Sequence, residues 1–256
     1  LAIGQAFPQL FPGAAVPAAP MAQAPATGGG THFEVINAGE WRLPKITLRQ
    51  DEVILEAGAL HYMKGHLEID SQLPSVGGFL KSALTKERAV KPRYRGTGEI
   101  FLEPTFADVN LMTLQGESWV LDKGAFLAAD RGIEVGMFTN SAMSGLFGGE
   151  GFFQTQVTGH GKLFFLSPGP LQRIELDGTD TLTVDGSFAV ARTASLEYEV
   201  GKATKGMFSS LTSGEGLVNR FRGRGTVLIA PVPNRYHTLL AQFGGLHAAL
   251  SRISRG

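Results

Sequence analysis

The chain has 256 residues, and its 23 Lys and Arg balance its 23 Asp and Glu, so the formal net charge is zero. A general nucleic-acid-binding protein needs a basic excess for phosphate contacts, and this composition therefore argues against one. The sequence contains no cysteine, which excludes disulfides and thiolate metal sites.

Residues 1–31 differ in composition from the rest of the chain. Residues 13–30 are mostly Ala, Pro and Gly, which is typical of a linker that forms no core. The segment before them brings Phe7, Leu10 and Phe11 close together in sequence. Two interpretations stay open, namely a loosely held tail and a docking segment that fills a groove on a neighbouring subunit.

Residues 32–234 are predicted to contain three divergent copies of one unit of about 64 residues. The copies lie at about 50–105, 117–169 and 180–232. A Gly-x-Gly followed by an apolar strand and a proline occurs in each copy, and so does an apolar strand that leads into an acidic residue and a glycine. We predict structural turns at the glycines of these two motifs, with a bulge as the alternative for the Gly-x-Gly motif. The glycines are Gly96, Gly159 and Gly223, and Gly58, Gly124 and Gly186.

Each unit is predicted to consist of β-strands. Short runs of β-branched and aromatic residues bounded by glycine and proline are the signature of β-hairpins. Alternation of apolar and other residues in 187–192 indicates a sheet with one covered face. Three such units predict an all-β, pseudo-threefold, closed structure, because closure removes exposed strand edges.

Residues 235–256 are predicted to form an amphipathic helix. Apolar residues recur there at spacings of three and four, and Gly244-Gly245 should bend the helix. The apolar positions are Tyr236, Leu239, Leu240, Phe243, Leu246, Leu250 and Ile253. No apolar run in the chain approaches the roughly 20 residues of a membrane-spanning helix. No export signal is recognisable, so we expect a cytoplasmic protein, with the membrane surface as an additional location.

Part of the third unit resembles the altered inheritance of mitochondria 24 family. The resemblance is most specific in Gly206-Met207-Phe208, in residues 213–218 and in residues 221–225, and it extends over about residues 33–233. It implies a fold like that of the tryptophan-RNA-binding attenuator protein, which is related to double-stranded β-helices. In eukaryotes the family is linked to mitochondrial inner-membrane organisation. The resemblance supplies no catalytic residues.

Candidate chemical sites are few. His61 and His66 are spaced to begin a metal site, but the other two units lack them. One glutamate per unit precedes the Gly-x-Gly motif, and these glutamates either gather around an axis or accept hydrogen bonds from local turns. They are Glu87, Glu150 and Glu215. Nucleophilic catalysis has no support, since cysteine and a Gly-x-Ser-x-Gly motif are both absent.

Our first hypothesis is therefore a non-enzymatic, homo-oligomeric assembly or scaffold protein without cofactor or metal. Its terminal segments contact other copies, another protein or a membrane surface. A second hypothesis is a ligand- or RNA-binding module that uses the glycine-rich loops and an arginine cluster. A third is a metal-dependent enzyme on a cupin-like barrel. The candidate interaction residues are Phe7, Leu10, Phe11, Arg220, Arg222, Arg224, Leu239, Leu240, Phe243, Leu246 and Leu250.

Overall fold

The computed structural model describes residues 30–70, 91–139, 153–185, 188–202 and 217–234, together with residues 236, 238 and 239. Within these ranges the protein is all-β, as predicted, and it forms a twelve-stranded antiparallel sheet. The strands are β1 (Gly30–Ala38), β2 (Trp41–Leu55), β3 (Leu60–Asp70), β4 (Arg93–Leu102), β5 (Asp108–Leu121), β6 (Phe126–Asp130), β7 (Ile133–Thr139), β8 (Phe153–Ser167), β9 (Gln172–Asp185), β10 (Ala189–Thr193), β11 (Glu197–Lys202) and β12 (Leu217–Ile229).

The described strands follow one open path instead of the predicted closed structure. Their order is β11-β12-β10-β5-β8-β6-β2-β4-β3, and β1, β7 and β9 pair laterally with β2, β8 and β12. β6 and β10 join neighbouring predicted units, and β3 has no such partner among the described strands. The two strands also differ in side-chain size at equivalent positions. β6 carries the fully buried Ala128 and Ala129 where β3 carries the exposed Tyr62 and Met63.

The burial of β2 shows how a strand changes neighbours along its length. Ile46 and Leu48 face the core and alternate with half-buried residues, as expected where one face is covered. Val53, Ile54 and Leu55 are all buried at the end of the strand, where β2 pairs with both β4 and β6. The strand therefore passes from an outer position into the interior.

Three hydrophobic clusters form the core, and each draws mainly on one predicted unit. The cluster of the second unit includes Phe126, Leu163 and Phe165, together with Ile54 from the first unit and Val190 from the third. Neighbouring units thus contribute side chains to one another's cores. Packing couples the units even though each has its own sheet region.

One backbone pattern occurs at all three connections that follow the long strands. The amide of one residue donates a hydrogen bond of 3.0–3.1 Å to the carbonyl three residues earlier. The carbonyl of the same residue accepts a hydrogen bond of 2.7–2.9 Å from an amide at the end of the neighbouring strand. The first bonds are Ala59 N to Glu56 O, Ala125 N to Asp122 O and Phe188 N to Asp185 O; the second are Glu103 N to Ala59 O, Leu166 N to Ala125 O and Ala230 N to Phe188 O.

The six glycines that recur at about 64 residues lie in two kinds of position. Gly58 and Gly124 lie in these connections with φ of +80° and +77°, while Gly186 lies outside the described residues. Gly96, Gly159 and Gly223 lie inside β4, β8 and β12, so a turn is wrong at these three and the alternative of a bulge remains.

The glycines inside the strands mark irregular pairing. Their φ angles are +133° at Gly96, +130° at Gly159 and +95° at Gly223. Each lies beside a shift in strand register, in the β2–β4, β5–β8 and β12–β9 pairs respectively. A positive φ within a strand belongs to a β-bulge, which bends and twists the strand locally. These three positions therefore require glycine because the strand bends there, although the chain makes no turn.

The chain after β12 begins a helical segment that contacts the sheet. The Asn234 side chain accepts a hydrogen bond from Tyr236 N at 2.9 Å, as a helix N-cap does, and its carbonyl accepts one from Thr238 N at 2.9 Å. Tyr236, Thr238 and Leu239 are helical, and the rest of the predicted helix lies outside the described residues. The Tyr236 ring stacks on Phe106 at 5.5 Å, and Phe106 lies 3.8 Å from Trp41, so this end of the chain contacts its own sheet.

We expect Gly159→Ala to lower the free energy of unfolding by more than about 1 kcal/mol. A Cβ at this position would lie 2.3 Å from the Gly132 carbonyl oxygen, and alanine rarely adopts the φ of +130°. Gly136→Ala in neighbouring β7 is the matched control, because a Cβ there meets nothing within 4 Å. Urea unfolding followed by circular dichroism measures both, and equal losses would contradict the assignment of strain to Gly159.

Candidate functional site

Most of the terminal residues predicted to make contacts lie outside the described residues. These are Phe7, Leu10, Phe11, Leu240, Phe243, Leu246 and Leu250, and the glutamates Glu87, Glu150 and Glu215 lie outside as well. Leu239 is described and is 52 % exposed. The structure therefore locates the start of the predicted C-terminal contact surface only.

The arginine cluster of β12 is engaged within the protein. Arg222 Nη1 lies 3.9 Å from Glu199 Oε2 on β11, and Arg224 Nε donates to the Asp177 carbonyl on β9 at 3.2 Å. Arg220 is half-buried, and its guanidinium lies over Gly201. Acidic and carbonyl groups thus surround these arginines, which reduces their value as a phosphate-binding patch.

The two histidines singled out by the sequence lie on β3. His61 Nδ1 is 3.4 Å from Glu103 Oε1, and His66 is exposed opposite Thr97. In the part of the chain that the structure describes, no group of three or more His, Asp or Glu side chains is arranged to hold a metal ion.

The exposed edge of β3 is the first candidate site. Three of its large apolar side chains are exposed, namely Tyr62 (47 %), Met63 (38 %) and Ile69 (45 %). Among the described strands β3 pairs only with β4, so its other edge carries backbone groups without a strand partner. A long edge with exposed apolar side chains is a surface on which another strand adds.

The β3 edge is held in place by the strands beneath it. The Tyr62 ring stacks on Phe101 of β4, with 4.3 Å between centroids and 12° between planes. Lys45 of β2 lies over the same Phe101 ring at 5.6 Å and is bound to Glu99 at 2.8 Å. Hydrogen bonding to Glu99 raises the pKa of Lys45 above its usual value. The edge is thus a preformed surface on a rigid sheet.

A buried arginine on β10 forms the second candidate site. Arg192 is 3 % exposed, and its guanidinium lies 4.4 Å from the Tyr198 ring centroid and 4.9 Å from that of Phe138. Its Nε and Nη1, together with Gln154 Oε1, have no hydrogen-bond partner among the described residues. A cavity of about 10 Å³ lies between Arg192, Gln154, Asp122 and the Tyr198 ring.

Burial sets the charge state of this cluster. Burial lowers the pKa of Arg192 to about 10, so the guanidinium stays a cation at neutral pH. Burial raises the pKa of Tyr198 to about 12 and raises that of Asp122, whose carboxylate accepts a bond of 3.4 Å from Gln154 Nε2. The cavity has the size of one water molecule, so it suits a bridging water and not a substrate.

Sequence reasoning missed this cluster although a signal was present. In β10 the side chains of Val190 and Arg192 alternate with alanines, and Phe188 just before the strand continues the same alternation. The pattern that indicates a covered face therefore also directs Arg192 inward. The partners Tyr198 and Phe138 come from β11 and β7, and no spacing in the sequence indicates that they meet.

We expect Arg192→Met to lower the free energy of unfolding at pH 7 by about 2 kcal/mol, because two cation–aromatic contacts are lost and buried Asp122 loses a nearby cation. The raised pKa of Asp122 means that its protonated form is favoured in the fold. The stability from this group is present at acidic pH and is lost as the pH rises through its folded pKa. The loss caused by the variant should therefore shrink between pH 7 and about pH 4.

Urea unfolding at the two pH values measures this difference. The control is Arg192→Met in an Asp122→Asn background, where the loss should no longer depend on pH. A loss from Arg192→Met alone that is equal at both pH values would show that Asp122 and Arg192 are not coupled.

Comparison with known proteins agrees with the extent of the sheet. The family model described as mitochondrial biogenesis AIM24 matches residues 33–232. An uncharacterized protein of Streptococcus pyogenes serotype M6 is 29 % identical over 210 residues, which are 77 % of this chain and 84 % of that protein. A crystal structure of a Streptococcus pyogenes protein superimposes with a TM-score of 0.63 at 26 % identity, and the match covers 84 % of this chain and all of that one.

Proposed function

Because the chain belongs to the mitochondrial biogenesis AIM24 family, we propose that it is a non-enzymatic assembly protein built from three divergent copies of one β unit. In this proposal it associates with copies of itself, and its terminal segments contact a further protein or a membrane surface in the cytoplasm. The family match runs from residue 33, inside β1, to residue 232, just after β12. It therefore leaves both terminal segments outside.

Repeated backbone features support the triplicated unit. The paired hydrogen bonds at the three connections have the same order and similar lengths, and a positive-φ glycine stands at an irregular pairing in each of β4, β8 and β12. These features coincide with the motifs that recur at about 64 residues. One ancestral unit repeated three times accounts for both the spacing and the geometry.

The observation that carries the assembly function is the exposed edge of β3. Natural proteins usually protect such an edge by a short strand, a bulge, an inward charge or a covering element. β3 has eleven residues, and although its pairing with β4 is irregular between Leu60 and Tyr62, it places Tyr62 and Met63 on the surface. An edge of this kind that persists in a folded protein is suited to association by strand addition.

The buried cluster around Arg192 fits a structural role in the same proposal. Arg192 and Tyr198 have strongly shifted pKa values, which in an enzyme would mark acid–base groups. Here they surround a cavity of about 10 Å³, which admits no substrate. The cluster instead joins β10 to β7 and β11 through cation–aromatic contacts.

We expect Met63→Lys to lower the molar mass of the protein in solution, because a lysine on the edge opposes strand addition. Val232→Lys is the matched control, since Val232 is 69 % exposed and lies outside the strands. Light scattering coupled to size exclusion measures the mass of both variants and of the unchanged chain. A single-chain mass for the unchanged protein, or an equal effect of the two lysines, would contradict assembly through this edge.

Deletion of residues 1–29 leaves β1 intact, and deletion of residues 240–256 retains the Tyr236 contact with Phe106. We expect both shortened proteins to melt cooperatively, because the three core clusters are preserved. We expect at least one of them to lose molar mass or liposome flotation relative to the full chain. Unchanged mass and unchanged flotation in both would refute a contact role for the termini.

A further inference from the structure

Two contacts between neighbouring predicted units have the same geometry. The end of β2 pairs with β6, with Ile54 opposite Ala129, and the end of β5 pairs with β10, with Val120 opposite Arg192. Each contact is extended by a backbone bond, from Glu56 N to Leu127 O at 2.9 Å and from Asp122 N to Val190 O at 2.8 Å. We call this arrangement the seam.

The third unit has the corresponding strand end but lacks a seam. The end of β9 follows the same pattern of an apolar run leading into Asp185, yet the described β9 pairs only with β12. Burial reflects the difference. The last three residues of β2 and of β5 are all buried, whereas of the equivalent residues of β9 Leu182 is half-buried, Thr183 is exposed and Val184 is buried.

β3 is the strand that corresponds to β6 and β10. Met63 pairs with Ile100 of β4 as Ala129 pairs with Leu163 of β8, so Met63 occupies the place of Ala129 in its unit. Ala129 lies opposite Ile54, two residues before Glu56, and the residue two before Asp185 is Thr183. A third seam would therefore place Met63 opposite Thr183 and Tyr62 opposite Val184.

Side-chain size separates this seam from the other two. The position of Tyr62 is taken by Ala128 in β6 and by Ala191 in β10, and both are at most 5 % exposed between two strands of one molecule. The position of Met63 is taken by Ala129 and by the buried Arg192, and β3 stands at the far end of the strand order from β9's partner β12. The β3 edge is thus shaped to receive a strand from outside its own chain.

We propose that β3 of one chain pairs antiparallel with β9 of a second copy, with Met63 opposite Thr183. This proposal rests on the assembly function above and specifies its interface. A reciprocal exchange about a twofold axis forms two such seams, which covers the β3 and β9 edges of both chains. It also covers Tyr62 and Met63, whose exposure is otherwise unfavourable.

Cysteine cross-linking tests the pairing directly, because the sequence contains no cysteine. Chains carrying Met63→Cys and chains carrying Thr183→Cys are co-expressed with different tags and oxidised. A disulfide between the two can form only between chains, and directly opposite strand residues lie within the 4.4–6.8 Å between Cα atoms that a disulfide needs. We expect a cross-linked heterodimer on a non-reducing gel, with the joined peptides identified by mass spectrometry.

The register control is Met63→Cys co-expressed with Thr181→Cys, which lies about 7 Å along β9 from Thr183. Equal cross-linking of positions 181 and 183 would overturn the register. Cross-linking only within one chain carrying both Met63→Cys and Thr183→Cys, with no product from the single variants, would overturn pairing between copies. Homodimers of Met63→Cys alone would identify β3 as its own partner and overturn the role of β9.

The same experiments separate this inference from the assembly function. If Met63→Lys lowers the molar mass while no 63–183 cross-link forms, assembly through β3 stands and its pairing with β9 fails. If the unchanged chain has a single-chain mass and no cross-link forms, both fail.

Discussion

The architecture depends on one constraint, which is that β6 and β10 each pair with two strands at once. β6 bonds to β8 of its own predicted unit and to β2 of the preceding one, and β10 does the same with β12 and β5. Both enclosed strands carry buried alanines, which are Ala128, Ala129 and Ala191, and β10 also carries the buried Arg192. β3, with the exposed Tyr62, lies at the end of the path of described strands.

This constraint also explains how the buried arginine is accommodated. Arg192 lies on an enclosed strand next to an alanine, and its guanidinium extends between the rings of Phe138 and Tyr198 instead of into the neighbouring strands. The aromatic faces partly compensate for lost hydration, while desolvation still lowers the pKa of the group to about 10. The cluster therefore ties the third unit to the second with both polar and apolar contacts.

Much of the fold follows from the sequence, and the remainder depends on contacts that the sequence does not order. Glycine spacing and apolar runs predict an all-β chain, and the resemblance over about residues 33–233 agrees with the match over residues 33–232. Glycine spacing does not distinguish a turn from a bulge, because both require a positive φ, and the sequence therefore left both open at Gly159. The open path was not predicted because pairing between strands of different units is a long-range feature that periodicity does not indicate. Of the candidate sites, the β3 edge and Arg192 are long-range features, since their neighbours come from other units.

The two tryptophans of the chain lie in separate environments. Trp119 is 4 % exposed in β5, opposite Thr193 of β10, and Trp41 lies against Phe106 beside the start of the C-terminal segment. Their fluorescence consequently reports on two distant regions. Emission from Trp119 follows the contact between the second and third units, and emission from Trp41 follows the aromatic stack. Replacing either one by phenylalanine gives a single-emitter protein, and the order in which the two signals change during unfolding reads out which region opens first.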